Sequence, residues 1–173
     1  RALEKAGIKT EVWGPGWPNG RLADDQMLPL IHQTKINIDI NPPSSHFGLK
    51  PLARLLFKKD DRAGRISFDF KNFFNNAREW RQKRTPMIKP RTFNCLAARG
   101  FIITQMTHDL AEFYEIDKEI VAYSSIPELI EKIKYYLTHE GEREKIAMAG
   151  YQRTLKDHTY EKRFQEIFQI IGL

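Results

Sequence analysis

The stretch from Lys89 to Thr104, KPRTFNCLAARGFIIT, constrains the fold of this chain more than any other. A basic, proline-stiffened loop (Lys89, Pro90, Arg91) leads into a short apolar helix spanning about Thr92 to Arg99. Gly100 stops that helix, and the apolar strand Phe101-Ile102-Ile103-Thr104 follows at once. Loop, helix, glycine and buried strand in this order belong to an α/β layer fold. The order also leaves cationic side chains and free backbone N–H groups at a helix N-terminus, where a phosphate can be held.

The flanking sequence repeats the alternation. Residues 1–8 read as the end of a helix closed by Gly7, and Thr10 to Gly14 as a short strand before the loop 14–20, rich in Gly and Pro. Met27, Leu28 and Ile31 give helical spacing over 24–33 despite Pro29. Lys35 to Ile40 alternates as a strand and ends in the breaker Asn41-Pro42-Pro43-Ser44-Ser45. Downstream come a short helix at 109–114 and a strand at 119–123. Ser125 and Glu128 then stand at capping-box spacing before a helix whose apolar face is Leu129, Ile130, Ile133, Tyr136 and Leu137. Two further helices are expected, at about 142–156 and 160–170, the last with Phe164, Ile167, Phe168 and Ile171 on one face. The fold class is therefore α/β, a parallel sheet with helices on both faces and a helical C-terminus. Ligands of such sheets bind at the carboxyl ends of the strands. The loops 14–20, 41–46 and 104–109, joined by the helix start at 91–94, meet that condition.

A length of 173 residues suits one domain with a real core. No run approaches the roughly 20 apolar residues that span a bilayer. The single cysteine, Cys95, excludes an internal disulfide and fits a reducing compartment, so a cytoplasmic location is expected. Arg1 in place of a methionine suggests a chain cut from something longer. The net charge of +6 is local. Between His46 and Pro90 twelve Lys/Arg face four Asp/Glu, whereas the remainder carries sixteen against eighteen.

From about Lys89 onward the sequence resembles the C-terminal, donor-binding domain of glycosyltransferases of the two-Rossmann-domain (GT-B) architecture, group 1, in the spore-maturation-protein-like branch. KPRTFNCLAARGFIIT, DLAEFYEIDKEIVAYSSIPELIEKIKYYL and EREKIAMAGYQRTLKDHTYEKRF carry the likeness, with EVWGPGW and KINIDINPPSS fitting more loosely. The resemblance implies one Rossmann-like nucleotide-sugar-binding domain over 1–173, with a basic insertion at about 46–88 and an N-terminal Rossmann partner domain outside this chain. It also implies transfer of a sugar from a nucleotide-diphosphate donor, which is a substrate, with no cofactor. By position, Arg91 and Thr92 meet the donor's diphosphate. Asn94 takes the place where many relatives carry a glutamate that binds the ribose, and Pro86 the place of another glutamate. Either the donor is held differently here or activity has been lost.

The expected donor-binding residues are Lys89, Arg91, Thr92, Asn94, Gly14, Trp17 and Ser44; the catalytic residues are not read. Arg91 and Lys89 hold phosphate, or form a surface pair at a helix end where positive charge is mildly unfavourable. Thr92 caps its helix or touches ligand, and a hydroxyl can do both. Trp17 offers a stacking face beside Gly14, or merely anchors a turn. Ser44 follows a strand end, where turn chemistry explains it equally well. The five histidines lack metal-ligand spacing, so no metal site is expected. Cys95 reads as a core residue.

The basic segment combines a helix over 72–84, with Phe73, Ala77 and Trp80 as its stripe, and a second helix over 51–59. It either packs on its own domain, meets an anionic membrane surface or lipid-linked acceptor, or binds nucleic acid, the least favoured of the three. The rival to an enzyme is a non-catalytic module of the same fold that docks a partner through this segment.

Overall fold

Alternating apolar residues build the sheet. In the computed structural model, which describes residues 1–41, 56–59, 66–68, 73–83 and 86–172, three parallel strands form one sheet. These are β1 (Asn37–Asp39), β4 (Ile102–Gln105) and β5 (Val121–Tyr123), in the order β1-β4-β5. Asn37 stands opposite Ile102 and Asp39 opposite Thr104, while Ile103 stands opposite Val121 and Gln105 opposite Tyr123. Because side chains alternate across a sheet, Phe101, Ile103, Val121 and Tyr123 enter one core and Ile102, Ile120 and Ala122 the other.

Helices cover both faces, as expected of a parallel sheet. The first core is closed by α6 (Ile126–Thr138) through Leu129, Ile133 and Tyr136, with Leu3 of α1 (Ala2–Lys5) packed against it. The second is closed by α4 (Pro90–Ala97) through Cys95 and Leu96 and by α5 (Leu110–Phe113) through Leu110. Ile31 of α2 (Asp24–Gln33) packs on that side too. The helix α7 (Glu140–Asp157) contributes Ile146 and Ala147 to the first core and passes close to α4 at Gly150. Ser125 accepts the Glu128 N–H at the start of α6, while the Glu128 carboxylate accepts the Ser124 N–H, a capping box displaced by one residue.

Three sequence expectations change. Residues 10–14 form no strand: Val12 and Trp13 are exposed, and a β-prone run becomes a strand only beside a partner. The loop 14–20 therefore does not follow a strand end. Residues 57–59 are strand β2 (Phe57–Lys59), not helix, paired antiparallel with β3 (Ile66–Phe68), with the rings of Phe57 and Phe68 edge-on across the pair, 5.5 Å apart. The last helix, α8 (Tyr160–Ile171), forms where its period places it, but Phe164, Ile167, Phe168 and Ile171 are all exposed.

The chain divides into two compact units, residues 1–40 with 88–173, and residues 41–87. The second contains the β2–β3 pair and α3 (Phe73–Lys83), on which Phe74 and Arg78 are exposed. Ser44 and the helical expectation over 51–55 lie outside the described residues. Among the described residues, no helix is long and apolar enough to cross a membrane.

Candidate functional site

Proline sets the helix start that carries the site. Pro90 occupies the first turn of α4, where its missing N–H costs nothing. Lys89, half-buried, is the N-cap residue, with extended backbone and no side-chain cap bond. Burial then runs with helical period. Thr92, Cys95 and Leu96 face inward, while Arg91 and Asn94, three residues apart and so on neighbouring turns of one face, look outward.

The hydroxyl of Thr92 does not cap the helix. It donates to Asp39 Oδ2 at 2.6 Å, fully buried, and Thr104 Oγ1 donates to the same oxygen at 3.4 Å. Arg91 completes the arrangement: its Nε donates to Asp39 Oδ1 and its Nη2 to the Ile40 carbonyl. The Asp39 side chain is 2% exposed and that of Arg91 60%. A carboxylate at the end of β1 is thus sealed under a guanidinium that still reaches solvent. Tyr123 closes the level from β5 by donating its hydroxyl to the Asp39 carbonyl at 3.3 Å, and burial, with Asp39 second, raises its pKa.

The loop after β4 reaches the same edge. Both carboxylate oxygens of Asp109 accept the Ile88 N–H, at 3.3 Å, tying that loop to the chain entering α4. Thr107, in the same loop and buried, has a hydroxyl without a hydrogen-bond partner among the described residues. A buried hydroxyl in that condition is uncommon. Asp39, Arg91, Thr92 and Thr104 form one cluster at the carboxyl edge of the sheet, where ligands of such folds bind, and Thr107 lies in the loop that leaves β4 at that edge.

Of the residues expected from sequence, α4 brings Lys89, Arg91, Thr92 and Asn94 together at one helix start. Gly14 and Trp17 make their bonds within their own loop: Gly14 N–H donates to the Gly20 carbonyl at 2.7 Å and Trp17 N–H to the Gly14 carbonyl at 3.1 Å. The Trp17 ring stands exposed. Asp39 and Thr107 were not singled out in the sequence. The signal for Asp39 was present, since a charged residue inside a strand covered on both faces requires a partner. Thr107 left no such signal. Among the described residues, no group of His, Cys, Asp and Glu is arranged to hold a metal ion.

Cys95 is buried on the inner face of α4, in the second core. Burial, with the Asp39 charge second, pushes its pKa from 9.0 up to about 12. The folded state holds the neutral thiol, so this contribution to stability is complete below pH 9 and is lost as the pH rises from there through about 12. At pH 8 the native protein is expected to leave Cys95 unalkylated by iodoacetamide, with labelling only in denaturant. Native labelling at the unfolded rate would show the thiol to be accessible.

A family model described as "Glycosyl transferase-like" matches residues 1–169. No curated protein and no solved structure matches the chain.

Proposed function

The chain belongs to the glycosyl transferase-like family, and from that premise we propose that it binds a nucleotide-diphosphate sugar at the start of α4, as the donor-binding half of a GT-B enzyme. The carrying observation is the exposed Arg91 guanidinium at a helix N-terminus on the carboxyl edge of a parallel sheet. Arg91 and Lys89 supply positive charge, the first turn of α4 offers the Arg91 N–H (Pro90 has none and the Thr92 N–H donates to the Lys89 carbonyl at 3.0 Å), and the Thr107 hydroxyl adds a neutral donor. Charge held there stabilises the departing nucleoside diphosphate as the glycosidic bond breaks. Asn94, on the same face as Arg91, offers both a donor and an acceptor to a ribose hydroxyl. The basic unit 41–87 is then an insertion, and its exposed Phe74 and Arg78 suit an acceptor carried at an anionic membrane surface.

Calorimetric titration of the intact protein with uridine, guanosine, adenosine and thymidine diphosphate tests this reading. At least one is expected to bind with a Kd between about 1 μM and 1 mM, the usual range for enzyme substrates. Absence of heat with all four would rule the reading out.

A second reading keeps the fold and drops the reaction. It is favoured by Asn94, which carries no charge where many relatives are expected to place a carboxylate. Release of free nucleoside diphosphate from a sugar nucleotide by the intact protein would eliminate it.

A further inference from the structure

Asp39 is the least expected member of the cluster. A buried carboxylate costs several kcal/mol unless it is paired and hydrogen-bonded. Here three side chains from two elements meet that need: Arg91 and Thr92 from α4, and Thr104 from the neighbouring strand β4. The dependence also runs the other way. Arginine has a long side chain that surrenders much rotamer freedom when it binds a ligand. In this fold that freedom is already restricted, because Nε is held by Asp39 and Nη2 by the Ile40 carbonyl. The planar guanidinium can make both bonds on one edge and leave its remaining donors outward, which a lysine ammonium cannot do. The Arg91 side chain is 60% exposed, so the pairing with Asp39 does not enclose it.

We infer that Asp39 is a positioning residue, which fixes the Arg91 guanidinium so that its outer N–H groups meet the diphosphate of a bound nucleotide. The inference rests on the donor-binding reading above. It carries a sign that charge alone would reverse. Asp39 is an anion near an anion site, so by Coulomb's law its neutralisation strengthens the local pull on a diphosphate. As a positioning residue, its neutralisation frees Arg91 to sample other rotamers and weakens binding.

Asp39→Asn keeps the shape of the side chain and removes its charge, and its effect is read in the intact protein by calorimetry with the four nucleoside diphosphates and by thermal unfolding. Binding is expected to weaken about tenfold, the scale of one charge-assisted hydrogen bond. In an Arg91→Lys background, where binding is still measurable, the same substitution is expected to change binding no further, because a lysine cannot make the paired bonds that Asp39 fixes, while its effect on the melting temperature persists through Thr92 and Thr104. Binding by Asp39→Asn as tight as wild type, or tighter, overturns the inference. So does an equal loss in the Arg91→Lys background, because Asp39 would then act through the fold and not through the Arg91 guanidinium. If Asp39→Asn does not fold, Arg91→Lys carries the test. A roughly tenfold loss at wild-type melting temperature supports positioning, and wild-type affinity overturns it, since charge alone would suffice. A wild-type protein silent with all four nucleotides removes the donor reading itself. Wild-type binding that survives Asp39→Asn but not Arg91→Ala removes only the role of Asp39.

Discussion

Arg91→Ala is expected to weaken nucleoside diphosphate binding by at least about 100-fold, enough to abolish it in a calorimetric titration. Hydrogen bonds to charged groups contribute about 1.5–3 kcal/mol each, and a guanidinium facing a diphosphate makes two or more. Each 1.4 kcal/mol is about a tenfold change in affinity. The same change removes the cation beside Asp39, whose side chain is 2% exposed. Orphaning a fully buried ion pair costs about 3–5 kcal/mol. The Arg91 side chain is 60% exposed, however, and solvent already screens it. Thr92 and Thr104 also remain as donors to the carboxylate. A stability loss of about 1–2 kcal/mol is therefore expected. For a chain of this size that lowers the Tm by roughly 2–8 °C. A folded Arg91→Ala protein that binds within about threefold of wild type would place the diphosphate elsewhere.

Gly150→Ala is expected to have the largest effect on the fold itself. A Cβ built at this position would lie 2.3 Å from the Glu119 carbonyl oxygen and 2.7 Å from Leu96 Cδ2. The nearer atom is backbone, just before β5, and cannot rotate aside. The helix α7 would have to move away from both α4 and the sheet. Overpacking of this kind costs about 3 kcal/mol at the upper end of its usual range. Alanine in a helix interior returns about 1 kcal/mol through propensity, so the clash dominates. The net loss is about 2 kcal/mol or more, read as a Tm lower by roughly 4–8 °C. An unchanged or raised Tm would mean that α7 does not approach α4 as closely as the geometry states. Gly141, in the same helix, is the control: a Cβ added there would meet nothing within 4 Å, and alanine is expected to be neutral or stabilising.

Much of the architecture was legible because periodicity reports which face a residue must bury. The alternation in Lys35 to Ile40 and the apolar run Phe101 to Thr104 gave β1 and β4, and the spacing of Leu129, Ile133 and Tyr136 gave the inward face of α6. Pattern fails where a neighbour decides. Thr10 to Gly14 has strand-like residues without a strand beside them, and Phe57 to Lys59 pairs with Ile66 to Phe68, which no local spacing announces. The helix start at Lys89 to Asn94 was readable as phosphate-friendly from its charges and its proline. That Thr92 spends its hydroxyl on Asp39, and not on the cap, was not.

Over residues 24–40 and 90–172 the sequence by itself determined the order of strands and helices, the faces they present and a helix start flanked by cationic side chains. These follow from local periodicity, from proline and glycine, and from charge, all of which act over a few residues. Only the tertiary structure joined Asp39 to Arg91, 52 positions apart, and brought Thr104 to the same carboxylate. It also set Gly150 against Leu96 and left the apolar face of α8 exposed. Pairing of that kind depends on which elements pack together, and a buried charge finds its partner only once the layers around it have closed.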